Sequence, residues 1–380
     1  MATRTGLEPR HEELLEGAVD GIDAVYDRLA DVDAADTGRR DLRAVPTYTI
    51  DPADARDYDD ALAVRDGAEG RTVYVHIADV PAVVQPGSEV DRVACTRALS
   101  TYWPDDVDHM LPGGLAEECS LTAGDDQPAA TVEMTVDAGG AVVDHDIYRS
   151  VVRADANLST AEADRLLTGE TGRDAEEHLH QLRAVADSLD AVHGADAADA
   201  SERLVEEFMV YTNGVCAEAM AEEGLGIYRV HGMPQDGWAD RFEQHFRALG
   251  YRIPDGYIAD ADDPVTVAQE LAEHEELDAV PSVPSPDDIA QGAAPRAYYD
   301  TFCRGHQDLG RLAYAPFTSP IRRYPDIINW RVLHGSFDGD ARDLRAIARH
   351  VNSREDAQTE EAFERLLTDG ASRSAGEGEG

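Results

Sequence analysis

Four aspartates held between two apolar, strand-forming runs constrain this chain more than any other feature. In Thr49-Ile-Asp51-Pro-Ala-Asp-Ala-Arg-Asp57-Tyr-Asp59-Asp60, they follow the β-branched and aromatic run Thr47–Ile50 and lead into Ala61–Val64. Pro52 cannot donate to a ladder, so the chain is expected to leave the sheet there, with Asp51 at a strand end. Strand alternation predicts Asp57 and Asp59 on one face and Asp60 on the other. The short connection can return Asp51 to them. Carboxylates this crowded repel one another unless a hard cation neutralises them, and Mg²⁺ or Mn²⁺ with oxygen ligands is the usual solution. A calcium loop of the EF-hand kind fails, because Ala53 and Ala55 fall at its third and fifth ligand positions counted from Asp51.

Composition supplies the competing reading. Asp and Glu make up 77 of 380 residues, so acidic clusters arise cheaply and a solvated loop is the alternative to a metal site. The position between two apolar strands raises the metal reading to equal standing with the loop. The formal charge is −44, and the 33 basic residues are all Arg, with no Lys. That pattern suits a high-salt cytosol: at about 1 M ionic strength the Debye length is ~3 Å, which screens most of the self-repulsion. A hydrophobic content of 42% can bury a real core. Cys95, Cys119, Cys216 and Cys303 form no C-x-x-C pair, no leader pattern opens the chain, and no apolar run reaches the length of a membrane span. A reduced, cytoplasmic protein with no membrane association and no structural zinc is expected.

The chain divides into three predicted parts. Residues 1–44 form a helical extension and linker, with Leu15, Ala18, Ile22, Val25, Tyr26 and Leu29 at helical spacing. Residues 45–370 form the main domain, and residues 371–380, rich in Gly, Ser and Glu, a disordered tail. From Val45 to about Arg153 the signals are strands and turns. Arg71–Val80 is expected to pair with Ala61–Val64, and Ala130–Val136 with Ala141–Arg149 through Asp137–Gly140. Ser159-x-x-Glu162 is a capping box, so a structural role claims Ser159. Further helices are predicted over 182–192, 201–222 and 240–249, a short strand over 226–230 and a loop over 280–286. The fold class is mixed α/β, a sheet surrounded by helices.

Phe317-Thr-Ser-Pro-Ile-Arg-Arg-Tyr-Pro-Asp326 places two adjacent cations in an acidic background. Ser319 and Pro320 read as an N-cap and first helical position, with Arg322 and Arg323 in the first turn and Pro325 kinking the helix beyond. Cations at that end oppose the macrodipole, which suggests a phosphate held by backbone N–H groups, hydroxyls and guanidinium together. Pairing of either arginine with a nearby carboxylate is the alternative. An acidic metal site with a phosphate-clamping arginine is the inventory of a phosphodiester hydrolase.

The motifs resemble those of the RNB-domain exoribonucleases of the ribonuclease II and ribonuclease R type. TIDPADARDYDDALAV (Thr49–Val64) resembles the family's aspartate motif and FTSPIRRYPD (Phe317–Asp326) its arginine motif. YVHIADV (Tyr74–Val80), TYWPDDVDHMLP (Thr101–Pro112), LVEEFMVYTN (Leu204–Asn213) and YRVHGMP (Tyr228–Pro234) occur between them in the family's order. The resemblance covers about residues 45–367. It implies an α/β RNB fold and Mg²⁺-dependent hydrolysis of single-stranded RNA from its 3′ end to nucleoside 5′-monophosphates, with no action on DNA. By position, Asp51 and Asp60 would hold metal, Asp57 would support the cluster, and Asp59 would be the acid most critical to chemistry. Arg322 would contact the scissile phosphate, with Thr318, Ser319 and Arg323 beside it. Tyr102 would stack on or direct a base, and Glu207, or its neighbour Glu206, would meet the terminal nucleotide.

Departures from the pattern are equally specific. The family usually carries OB or cold-shock domains before this region and an S1 domain after it; with about 44 residues before the matching region and about a dozen after it, neither is expected here. Ala156-Asn-Leu158-Ser-Thr160 lacks the Tyr usual after that element, and the segment before the Glu206–Glu207 helix is shortened to about His193–Ala200. His109 stands where Pro is common, and Ala315-Pro316 where His is common before Phe317. An RNA-binding relic without hydrolysis and a small-substrate phosphodiesterase are the alternatives; the intact aspartates favour activity, and Tyr102 with Trp103 suits a nucleobase.

Overall fold

The computed structural model describes residues 38–67, 70–103, 106–112, 114–169, 174–189, 200–231, 297–306 and 309–376. The helices expected over 11–31 and 240–249, the loop over 280–286, the shortened stretch before Ala200 and the last four residues lie outside these. In chain order the elements are β1 (Arg40–Asp41), β2 (Tyr48–Asp51), β3 (Asp60–Asp66), β4 (Arg71–Ala78), α1 (Val80–Val83), α2 (Glu89–Arg97), β5 (Thr101–Trp103), β6 (Asp106–Asp108), α3 (Leu115–Cys119), β7 (Gln127–Val136), β8 (Val142–Val152) and β9 (Ala156–Ser159). They continue with α4 (Thr160–Leu167), α5 (Asp174–Ala186), α6 (Ala200–Glu223), β10 (Tyr228–Val230), β11 (Tyr298–Asp300), α7 (Tyr324–Leu333) and α8 (Ala341–Gly376).

Two compact units result: Met1–Tyr228 with Tyr299–Cys303 and Ala313–Glu355, and Arg229–Tyr298 with Arg304–Leu312 and Asp356–Gly380. The first contains a seven-stranded sheet in the order β1-β8-β7-β4-β3-β2-β9. Its centre is antiparallel, as the turn signals require, and the edge pairs β1–β8 and β2–β9 are parallel. The expected pairings hold: Leu62 faces Val75, and Val132 faces Ile147. Leu62, Val64, Val73, Val75, Ile77, Val132 and Met134 pack with Leu166, Leu179, Leu182, Leu204 and Phe208 of α4–α6. A second cluster joins Ala61 and Ala78 to α2, to α7 through Ile327 and Ile328, and to Leu344 and Val351 of α8. In the second unit, the His231 and His306 rings lie 5.2 Å apart. There the His306 and Arg311 backbones exchange hydrogen bonds at 2.8 and 3.1 Å.

Three local expectations change. The segment Val45–Arg153 contains short helices besides strands, because Asp79 and Ser88 accept from Ala82 N and Asp91 N and so start α1 and α2. Arg71–Val80 therefore ends as a strand at Ala78. The backbone of Ala371–Gly376 continues α8 where a disordered tail is predicted; extending an existing helix adds one hydrogen bond per residue without a new nucleus. By contrast, the Ser159–Glu162 capping box forms with both of its hydrogen bonds, as predicted.

Candidate active site

β2 carries Asp51 to its last position, and the turn after it is closed by Ala55 N donating to Pro52 O at 2.9 Å. The chain does not resume a strand until Asp60. Asp57 and Asp59 therefore lie in an irregular segment, and the face alternation expected for them does not apply. Side-chain and backbone partners from the α3 turn hold that segment instead: Ser120 Oγ accepts from Tyr58 N at 3.0 Å, and Leu121 N donates to Tyr58 O at 3.0 Å.

Asp59 is the pivot of the site. Its side chain is buried, one oxygen accepts the Ile321 backbone N–H at 2.8 Å, and the other faces Arg322 Nε at 3.5 Å. Burial raises its carboxyl to about 7, opposed by the Arg322 charge and the Ile321 N–H. Burial likewise raises Asp51 to about 6, with the Thr49 hydroxyl pulling it down and the Asp57 charge pushing it up. Asp60 is held well above the usual carboxylate range by burial and by the charges of Asp51 and Asp59. The aspartates are thus close enough to repel one another, and all three with shifted values also feel Arg322. Tyr102 OH donates to Asp57 Oδ2 at 3.2 Å, which brings the exposed aromatic to the edge of the acidic loop.

The arginine motif folds differently from its sequence signal. Ser319 and Pro320 do not open the helix; they form a turn in which Ser319 O accepts from Arg322 N at 3.3 Å and Arg323 N at 2.9 Å. The helix starts at Tyr324, with Arg323 as N-cap, so Pro325 falls in its first turn and does not kink it. A proline lacks the N–H that the helix interior needs, and the first turn is where that loss is harmless. Arg322 Nη2 donates to Ser319 Oγ at 2.8 Å, and its side chain keeps 43% exposure. Arg323 is spoken for: its Nη2 donates to buried Asp326 Oδ1 at 2.7 Å, and the same oxygen accepts Ser319 N–H at 2.8 Å. Carboxylate pairing thus holds for Arg323, whereas Arg322 pairs weakly and faces the aspartates.

The family model for the RNB domain matches residues 39–196 and 190–338, which takes in both motifs and the sheet between them. The chain belongs to the RNB-domain family. A relative named Ribonuclease R from Aquifex aeolicus is 32% identical over 371 residues, covering 86% of this chain and 52% of the relative. This RNB chain therefore spans about half the length of the relatives it matches. The structure of Mycoplasma genitalium RNase R in complex with ribose methylated single-stranded RNA shares its fold, with a TM-score of 0.72, 21% identity, and 94% of this chain and 64% of that one covered. Yeast Ssd1, a pseudonuclease, shares the fold at a TM-score of 0.66 and 19% identity over 86% of this chain and 44% of that one.

Other RNB motif residues gather around the arginine turn. Asn213 of α6 donates to Tyr314 OH at 3.1 Å and reaches Thr318 Oγ1 at 3.4 Å. Glu206 is exposed and acts electrostatically on Tyr314, whereas Glu207 is buried on the same helix. Sequence motifs single out neither Tyr314 nor Asn213 as site residues, and Asp326 appears only as the motif's last letter. Among the described residues, no three Asp, Glu, His or Cys side chains already converge on a metal position. The donor set nonetheless fits a hard divalent cation: the acids raise one another's affinity for positive charge, and Asp51 Oδ2 is buried without a hydrogen-bond partner. No described helix is long and apolar enough to cross a membrane.

Proposed function

We propose that this RNB protein is a divalent-metal-dependent exoribonuclease that hydrolyses single-stranded RNA from its 3′ end and releases nucleoside 5′-monophosphates in a high-salt cytoplasm. The observation that carries the reading is the contact of Asp59 with both Ile321 N and Arg322, which joins the acidic loop to the arginine turn. The Ribonuclease R relatives and the RNA-bound fold neighbour support it.

Asp51, Asp57, Asp59 and Asp60 would hold Mg²⁺, with Mn²⁺ as a substitute, and the bound ion would supply an activated water and charge neutralisation at the leaving oxygen. The anchored oxygen of Asp59 stays on Ile321 N–H, and its Oδ2, which faces Arg322, would be the oxygen that orients a water for attack. Arg322, exposed and braced by Ser319 Oγ, neutralises charge on the scissile phosphate. Thr318 and Ser319 offer hydroxyls to the same phosphate, and Arg323 holds the turn through Asp326. Tyr102 receives a base by stacking. Glu206 and Glu207 stand on α6 as candidates for the terminal ribose, and the exposure of Glu206 gives it a claim equal to that of buried Glu207.

An RNA-binding protein without hydrolysis is the second reading, favoured by a fold shared with a pseudonuclease. In molar KCl with Mg²⁺, 5′-labelled single-stranded RNA should shorten progressively from its 3′ end, and Asp59→Asn should abolish this. Intact RNA that remains tightly bound would select the second reading.

A further inference from the structure

A buried hydrogen bond reaches the strand that carries Asp51: Asn157 of β9 meets Thr49, two residues before Asp51. β2 and β9 pair in parallel with Thr49 opposite Asn157 and Asp51 opposite Ser159. Thr49 and Asp51 are two residues apart on one strand, so their side chains share a face. Thr49 is fully buried, and its hydroxyl is the hydrogen-bonding neighbour of the Asp51 carboxylate. Asn157 Nδ2 donates to Thr49 Oγ1 at 3.0 Å and to Leu121 O at 3.0 Å, while Asn157 Oδ1 accepts Ala123 N at 2.8 Å.

These partners leave the amide one orientation. The Ala123 N–H can only donate, so the atom facing it is the carbonyl oxygen; Leu121 O can only accept, so the atom facing it is the NH₂. Thr49 Oγ1 must then accept from Asn157, which leaves its own proton available to the Asp51 carboxylate beside it. Asp51 Oδ2 is left buried and without a hydrogen-bond partner. A carboxylate fixed in this way by a neighbouring donor keeps one oxygen for a cation, and such supporting partners tune metal affinity.

We infer that Asn157 and Thr49 are positioning residues for the divalent cation, acting through Asp51 and touching neither metal nor RNA. The inference rests on the metal-dependent reading above. Asn157→Asp is the sharpest probe: the new carboxylate still accepts Ala123 N–H, but it cannot donate to Thr49 and competes with Asp51 for the hydroxyl proton.

The test is Mn²⁺ binding to the full chain, by electron paramagnetic resonance titration, beside thermal unfolding of the metal-free protein. Asn157→Asp and Thr49→Val should bind Mn²⁺ about tenfold more weakly than the unsubstituted protein, and Thr49→Ser, which keeps the hydroxyl, should restore binding to within about twofold. The Mg²⁺ concentration for half-maximal RNA cleavage should rise in parallel, with the rate at saturating Mg²⁺ largely recovered. Lowered unfolding temperatures with unchanged Mn²⁺ affinity would reduce both residues to fold supports and overturn the inference alone. No Mn²⁺ binding by the unsubstituted protein would overturn the metal reading with it.

Discussion

Asp59 accepts the backbone N–H of Ile321 at 2.8 Å across 262 residues of sequence, and that bond, with the Arg322 contact beside it, joins the acidic loop and the arginine turn into one site. An amide oxygen can accept the same N–H, which separates the structural part of Asp59 from its chemical part. Asp59→Asn should therefore fold with a stability at least equal to the native protein at pH 8, because it removes a buried charge. Its hydrolysis of RNA should fall by about 10³-fold or more. Denaturant unfolding beside a product time course reads both quantities.

The two adjacent arginines should separate by assay. Arg322 is 43% exposed and directed at Asp59, so Arg322→Ala should lower turnover by about 10²–10³-fold with little change in unfolding. Arg323 is paired with an Asp326 side chain of 0% exposure, and removing it strands that carboxylate. Arg323→Ala should cost about 3 kcal/mol of stability, seen as a lower denaturant midpoint.

Ala98 has φ 64° and ψ −38°, a strained backbone for a residue with a Cβ, and it is fully buried. Its carbonyl accepts Tyr324 N at 2.8 Å, and Ser100 N donates to Arg322 O at 2.9 Å, so this strained segment seats the arginine turn. A β-branched side chain deepens the strain and has no room. Ala98→Val should destabilise by about 3 kcal/mol and depress turnover together with it.

His76 is buried, with Nδ1 2.8 Å from Thr131 Oγ1, and burial lowers its pKa to about 3. A histidine depressed in this way stabilises the fold fully above its unfolded value near 6.5, and that contribution is lost as pH falls toward the folded value. Between pH 6.5 and 4 the native protein should lose on the order of 1.4 kcal/mol per pH unit through this group. In His76→Gln that component of the slope should vanish, which denaturant titrations across the window will reveal.

With a formal charge of −44, the chain should also be salt-requiring. The unfolding temperature should rise from 0.1 to about 1 M KCl, as the Debye length contracts from ~10 to ~3 Å. Equal stability at both concentrations would argue against dispersed self-repulsion.

The sheet pairings, the Ser159 cap, the long α6 helix and the two chemical motifs were legible in the amino-acid sequence, because strand alternation, capping boxes and helical spacing are local and carry their physics within a few residues. The arginine turn departs from its local signal for the same reason: Ser319-Pro320 is a valid local start signal, yet Pro325 in the first turn and the Asp326 bond to Ser319 N place the helix at Tyr324 instead. Nor could spacing tell Arg322 from Arg323, since only packing decided which guanidinium Asp326 claimed. The Thr49–Asn157 bond joins strands more than a hundred residues apart, and nothing in the aspartate motif that Thr49 opens points to Asn157. The sequence by itself determined which acids and cations this RNB protein carries and which strands flank the acidic loop. Tertiary structure alone decided their distances, their burial and the proton affinities that follow, because desolvation and charge coupling depend on neighbours that the chain supplies from afar.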